Sequence, residues 1–465
     1  MTSGRGVAPT SPSSIRKPDF GGQQFTREEL QNSRPFDERR LLIGAGGEAL
    51  LARSLAALLA NEPTRTRTRK TKDHESLKAA LSALLANLLA AKRSQRRPDA
   101  FVGVSFDAAY YAGRKLSLTG MQDVRNFLLE AGLAVGQGGY QRIGASERDG
   151  SSHRTRLRAT EALSSWFIDA GIDLTVPSRD PESGLGWSND VPPVVMGELQ
   201  SDAGPEPAEV IASRQVVIAA NRLIAEAAIE LPPEAWDRID RRGRPDPDAD
   251  EDQDVWETFG DPRRHALYRK FKRRWEEGGR LYGGWWQTLP KRERAVLTID
   301  GAATVELDYG RLHPTLAWAR EGLELTFDPY QVPGQPESLR EVGKRTWNRL
   351  INRSATVDPS RISPDVRDRP LLPPGFDFKV YAAALVDLHR PIAHLFGSGI
   401  GVQLQRQDSD ILVEVLKTTT AAGIVALPIH DSLIVTQPNE AKLLEAMRGA
   451  YGAVAGLPPG RISRA

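Results

Sequence analysis

Near the C-terminal end, two apolar runs, 425–429 and 433–435, are separated only by His430, Asp431 and Ser432. Both runs are rich in β-formers and each has the length of a buried strand. Three residues suffice for a tight hairpin and for nothing longer. An acid is therefore held at a strand end in an otherwise apolar setting. A lone carboxylate there is costly unless a partner or a cation meets it. A second segment supplies the partner type. Residues 304–307 read as a strand that ends at Asp308, and Leu312, Leu316 and Ala319 then recur at helical spacing. The helix is expected to be broken early by Pro314.

Between these acids lies Glu337–Ser354. Arg340, Lys344, Asn348 and Asn352 are four apart and form one polar stripe on a helix. Leu339, Val342, Leu350 and Ile351 can face the interior. Two cations followed by two amides suit a triphosphate followed by a sugar and base. Upstream, Arg263–Arg294 is basic and aromatic and includes Trp285 and Trp286, which suit either a core or base stacking.

The remainder constrains partners and compartment. The chain has 465 residues, 40% of them hydrophobic and 26% charged, with a formal net charge of +2. Nucleic-acid binding depends on local basic grooves, so a near-neutral total does not exclude it. The chain has no cysteine, which excludes disulfides and cysteine-ligated zinc and agrees with a cytoplasmic location. No apolar run is long enough to span a membrane.

Five regions are expected. Residues 1–40 read as a disordered tail. Residues 41–98 hold two Ala/Leu-rich helical segments joined by a basic linker, Arg65–Lys72. Residues 99–175 suggest a winged helix. In that region Thr119 and Gln122 form a capping-box pattern, Gly136–Gly139 reverses the chain, and a second helix opens at Thr160. Arg154, Arg156 and Arg158 alternate on one strand face that suits a phosphate backbone. Residues 176–262 read as a linker and a helical, thumb-like region with an acidic loop. The last region is 263–465. The fold class is α+β.

Taken in order, four motifs resemble those of family A DNA polymerases and the related single-subunit phage RNA polymerases. Glu276-Glu277-Gly278-Gly279-Arg280 resembles their Gly-Arg motif. Asp308-Tyr309 resembles the opening of motif A, Arg340 with Lys344 resembles motif B, and His430-Asp431-Ser432 resembles motif C. A narrower resemblance is to replication proteins of phages and mobile elements, including family A-like primases. The resemblance covers roughly 263–465.

It implies a right-hand polymerase, with Asp308 and Asp431 on palm strands and the Arg340–Asn352 helix in reduced fingers. Asp308, Asp431 and the carbonyl of Tyr309 would hold two Mg²⁺ ions, or Mn²⁺. Arg340 and Lys344 would bind the triphosphate, and Lys344 could protonate its leaving group. His430 would sit beside the primer terminus, and Arg280 would contact the template or hybrid backbone. His313 stands where the DNA polymerases carry a sugar-excluding Glu, and Asn352 where they carry an aromatic. Both can hydrogen-bond a 2′-hydroxyl, which favours ribonucleotides.

Three functions fit. One is a primase-polymerase working on single-stranded DNA in phage, plasmid or mobile-element replication, with a replicative helicase or small accessory protein as partner. The second is a DNA polymerase restricted to deoxynucleotides. The third is a DNA-binding initiator with a vestigial core, against which the joint presence of Asp308, Lys344 and Asp431 argues.

Overall fold

A computed structural model describes residues 25–26, 29–30, 33–62, 69–93, 100–111, 115–139, 154–197, 204–242, 261–353, 362–365 and 367–465. The chain is α+β and divides into two compact units, Met1–Gly186 and Trp187–Ala465.

In the first unit, strands β1 (Arg34–Pro35), β3 (Val102–Val104), β4 (Ala134–Gln137) and β5 (Thr155–Ala159) form a four-stranded sheet in the order β1-β3-β5-β4. A separate pair joins β2 (Arg40–Leu42) to β6 (Leu185–Trp187). The helix Thr71–Lys92 is the centre of this unit. Every residue from Ala80 to Ala91 is buried, and a helix that is apolar on all sides must be covered on all sides. The helix Leu118–Glu130 covers it through Met121, Val124 and Leu128, within a core shared with Leu157, Leu163 and Phe167.

Several expectations change here. The boundary at residue 98 separates no bodies, because the Leu-rich helix packs against the elements after it. The expected tail of 1–40 ends too late, since Arg34–Pro35 pairs in parallel with Val102–Gly103; residues 1–24 lie outside the described ones. The elements expected of a winged helix are present, but β5 is no free wing. It lies between β3 and β4 inside the sheet. Ser117, not Thr119, caps the helix Leu118–Glu130, its hydroxyl accepting from Gly120 N, whereas Thr160 caps the helix Glu161–Asp169 as its sequence suggests.

The second unit carries two sheets. Strands β10 (Gly278–Tyr282), β9 (Tyr268–Phe271) and β7 (Val194–Met196) form one. The other runs β13 (Leu427–Ile429), β14 (Ser432–Thr436), β12 (Ala302–Tyr309), β11 (Thr298–Ile299), β8 (Ile229–Glu230), with β15 (Ile462–Arg464) also paired to β12. Residues 176–204 are thus no plain linker, since β6 and β7 fall within them. The helix Ala208–Glu226 belongs to the same unit, its Val217, Ala220 and Ile224 sharing the core with Leu281, Leu307 and Leu433.

One turn fixes the register of β12 against β11. Asp300 (φ 50°) and Gly301 (φ 74°) both have positive φ between β11 and β12, which a two-residue hairpin of this hand requires. Asp300 also accepts the N–H of Ala228 through Oδ1 at 2.8 Å. Pro314 does not break the helix Leu312–Ala319. It lies in the first turn, where the missing N–H has no intrahelical partner to lose. Trp285 and Trp286 are fully buried and belong to the core. Trp286 Nε1 and Gln287 Nε2 both donate to the carbonyl of Pro428, at 3.1 and 3.0 Å.

Among the described residues no helix is long and apolar enough to cross a membrane.

Candidate active site

Asp308 lies one residue from the end of β12 and pairs in antiparallel register with Ser432, the first residue of β14. The turn His430-Asp431 precedes Ser432, and His430 takes a positive φ of 49° to make it. Tyr309 N donates to the carbonyl of Asp431 at 3.2 Å. The two acids expected to act together therefore stand at adjacent ends of neighbouring strands.

Their proximity has an electrostatic signature. The Asp308 carboxyl is pushed up to about 7, first by burial, then by the negative charges of Asp431 and Glu306, with Lys291 and Lys344 pulling in the opposite direction. Glu306 lies two residues before Asp308 on the same strand face. Its own carboxylate is committed to Ser432 Oγ at 2.6 Å and to Arg294 Nε at 3.0 Å.

Lys344 is exposed on the helix Arg340–Asn352, and its charge reaches Asp308. Arg340, one turn earlier, donates to Asp328 Oδ2 at 2.8 Å and lies over the ring of Tyr330. Arg311 donates to the same Asp328 oxygen at 3.0 Å, so one carboxylate gathers two guanidinium groups. Burial raises the Tyr330 hydroxyl well above its usual range, with the negative charge of Asp431 adding to it. Tyr330, Arg340, Asp431 and Asp308 thus form one electrostatic neighbourhood. Asn348 and Asn352 are exposed on the next turns, with Asn352 Nδ2 donating to the carbonyl of Asn348 at 2.8 Å.

Arg280 and His313 meet at a residue that the sequence reading missed. Asp408, on the helix Gly401–Ala421, is fully buried. It accepts from Arg280 Nη2 and contacts His313 Nε2, both through Oδ2 at 2.7 Å. The guanidinium of Arg280 is thus drawn inward and not presented to a nucleic-acid backbone. Gly279, just before Arg280, lies close against Phe271 and Arg269. With φ at 82°, a Cβ there would stand 2.9 Å from the Phe271 ring and 3.0 Å from Arg269 Nη2. Two residues beyond Arg280, Tyr282 packs edge-on against His430, with ring centroids 6.5 Å apart.

The three arginines of the first unit are placed differently from the expected phosphate-facing row. Arg154 is exposed, but Arg156 is buried and donates through Nε to the carbonyl of Leu30 at 2.6 Å. Arg158 pairs with Glu29 at 3.2 Å and lies over the rings of Phe25 and Phe101. Leu30 and Ser33 meet Arg156, and Phe25 and Glu29 meet Arg158, so these two side chains are used within the unit.

The donor set at Asp308 and Asp431 fits a hard divalent cation. It offers only oxygens, and two like charges forced together are relieved by a cation between them. Among the described residues, no group of three or more His, Asp or Glu side chains is arranged to hold a metal ion. Any ion here would therefore need backbone carbonyl, water or substrate oxygens to complete its shell.

Of the residues the sequence reading missed, Glu306 was signalled by its spacing of two from Asp308 on a strand. Arg311 lies three residues beyond Asp308, whereas Lys291, Asp328, Tyr330 and Asp408 carried no such signal. Long loops and a distant helix bring them in.

No protein-family model matches the chain, and no curated protein matches it. Among solved structures it is similar to the POL domain of Pol1 from M. smegmatis, in complex with DNA primer-template and dNTP. The identity is 15%, with 45% of this chain and 48% of that chain covered, and the TM-score is 0.30. The chain thus spans about half of that polymerase domain, and a likeness of this extent assigns no function by itself.

Proposed function

We propose that the second unit is the core of a template-directed nucleotidyltransferase, and that it makes primers on single-stranded DNA from ribonucleotides. The observation that carries this reading is the pairing of Asp308 with the Asp431 turn, where burial and mutual repulsion raise the Asp308 carboxyl to about 7. Asp308, Asp431 and the carbonyl of Tyr309 would hold two Mg²⁺ or Mn²⁺ ions. Bound there, such ions neutralise charge on a triphosphate and lower the pKa of an attacking 3′-hydroxyl.

The chain's own groups have distinct tasks. Arg340 and Lys344 bind the triphosphate of the incoming nucleotide, and Lys344 donates a proton to the departing pyrophosphate. Asp328 holds Arg340, together with Arg311, ready at that site. His430 packs against Tyr282 and lines the path of the primer terminus. His313 contacts the sugar, with Asn352 as a further amide on the nucleotide-binding helix. Phage, plasmid or mobile-element replication is the setting this activity suits. DNA template and nucleoside triphosphates are its substrates, and a helicase or small accessory protein is its partner.

The test uses a single-stranded template, Mg²⁺ or Mn²⁺ and a labelled nucleotide, with and without primer. Incorporation by the wild type and none by folded Asp308→Ala is the expected result. Wild-type rates in that variant would overturn the two-metal assignment. Incorporation only of deoxynucleotides, and only onto an existing 3′ end, would replace the primer-making reading with that of a DNA polymerase.

A further inference from the structure

Asp408 sits deep in the second unit and receives two donors on one oxygen. Arg280 Nη2 and His313 Nε2 each stand 2.7 Å from Oδ2. Arg280 Nε adds a contact at 3.0 Å. Burial alone would raise this carboxyl, but the charge of Arg280 and the hydrogen bond from His313 hold it below the usual carboxylate range. Paired with the Arg280 guanidinium through Nε and Nη2 it is held as a carboxylate, which can only accept. At that distance His313 Nε2 must carry a hydrogen. The 3.2 Å separation between Arg280 Nη2 and His313 Nε2 then follows from two donors converging on one acceptor; it is not a bond between them.

A neutral imidazole with its hydrogen on Nε2 has a lone pair on Nδ1. Among the described residues, Nδ1 of His313 has no hydrogen-bond partner, and the side chain is 19% exposed. The ring stands in the first turn of the helix that follows Asp308. Arg280 is its neighbour at Asp408, and Tyr282, on the same face of β10, packs against His430. One strand face therefore links His313 to the turn that carries Asp431.

We infer that Asp408 is a positioning residue for sugar selection: it locks His313 with Nε2–H inward, so that Nδ1 accepts a hydrogen bond from the 2′-hydroxyl of the incoming ribonucleotide. This rests on the proposed nucleotidyltransferase activity and adds the direction of the bond. The site asks the sugar for a donor. A deoxyribose has no group at that position. A 2′-fluoro sugar keeps a polar atom there but cannot donate. Both leave Nδ1 unpaired.

The experiment measures kcat/KM of the full chain for ATP, 2′-deoxy-ATP and 2′-fluoro-2′-deoxy-ATP on a primed template. The wild type is expected to prefer ATP over the 2′-fluoro analogue by about tenfold or more, the worth of one hydrogen bond. In Asp408→Asn the side chain loses its charge and keeps one acceptor oxygen, which Arg280 also claims, so the ring hydrogen is no longer held on Nε2. The preference should then collapse toward one, with the 2′-fluoro analogue still used within a few-fold of the wild-type rate. A purely structural role for Asp408 would lower all three substrates together and leave the ratio unchanged, and that result overturns the inference. So does a wild type that uses ATP and the 2′-fluoro analogue equally, although template-directed transfer would then stand. A folded wild type that incorporates none of the three removes the nucleotidyltransferase reading itself.

Should Asp408→Asn fail to fold, the wild type still decides. ¹⁵N-histidine NMR, assigned with His313→Gln, is expected to show Nε2 protonated and Nδ1 not. The opposite tautomer, or a ring protonated on both nitrogens, overturns the inference.

Discussion

Tyr309 donates its backbone N–H to the carbonyl of Asp431 at 3.2 Å, and this bond ties the end of strand β12 to the turn that precedes β14. The two acids of the candidate site are thereby fixed by main chain and not by loops. Rigid placement is what a charge-bearing site requires, and it comes at an electrostatic cost. That cost yields the first prediction. The raised Asp308 carboxyl favours its protonated form in the folded state. Its stabilising contribution is full below the unfolded value of 3.8 and is lost as pH rises through about 7. In metal-free protein at pH 8, Asp308→Asn should raise Tm by about 2–4 °C for each kcal/mol of relieved repulsion. The same variant should lower nucleotide incorporation by about a thousandfold or more. Thermal melts with chelator, beside primer-extension rates, check both halves.

The nucleotide-binding helix gives a second prediction. Arg340 and Lys344 are one turn apart; the charge of Lys344 lowers the Asp308 carboxyl, whereas Arg340 is held by Asp328. Arg340→Ala should mainly raise KM for the nucleotide, by about tenfold, the worth of a charge-assisted hydrogen bond. Lys344→Ala should mainly lower kcat, by about a hundredfold, as expected of a lost general acid. Steady-state kinetics with a saturating template separate the two. Equal effects on kcat and KM in both variants would remove the division of labour.

His389 gives a third. It is fully buried, accepts from Trp318 Nε1 at 3.1 Å through Nδ1, and contacts the carbonyl of Pro329 at 2.8 Å through Nε2. That pattern needs the neutral ring, and burial holds its pKa below 6.5. Stability is present in full above the unfolded value and is lost as pH falls below about 6.5. The stability of the wild type to chemical denaturant should fall between pH 7 and pH 5, and His389→Phe should reduce that dependence. An unchanged pH slope in the variant would assign the loss to other groups.

The fourth concerns Arg156. Because its guanidinium holds the carbonyl of Leu30 from a buried position, Arg156→Ala should cost about 1–3 kcal/mol of stability in the first unit. The exposed Arg154 should cost little when replaced. If the first unit binds DNA, Arg154→Ala is the variant expected to flatten the salt dependence of affinity. An unchanged slope would remove Arg154 from any phosphate contact.

How much of this was legible in the sequence follows from range. The hairpin around His430-Asp431, the strand ending at Asp308 and the helix Arg340–Asn352 are local patterns, and periodicity and turn chemistry suffice to read them. Asp408 could not be read, because a lone Asp in a helix has the same local signature whether it is solvated or buried under Arg280 and His313. Arg156 shows the reverse failure. Alternation places it on a strand face, but only Leu30 and Ser33, more than a hundred residues away in sequence, cover that face. Asp300-Gly301 was a clear hairpin signal that the reading passed over, and it would have set the register of β12 in advance. The region 41–98 was read as a body of its own because its helices are apolar, yet uniform apolarity is the mark of a helix that needs partners from elsewhere.

Strand β13 is the last strand of its sheet and carries Pro428. Proline presents no N–H to a newcomer, and its carbonyl is already engaged by Trp286 and Gln287. An incoming chain therefore finds neither a donor nor an available acceptor at that position, which blunts the edge against strand addition and aggregation. Only the loss of both donors, Trp286 and Gln287, would free that carbonyl for a newcomer.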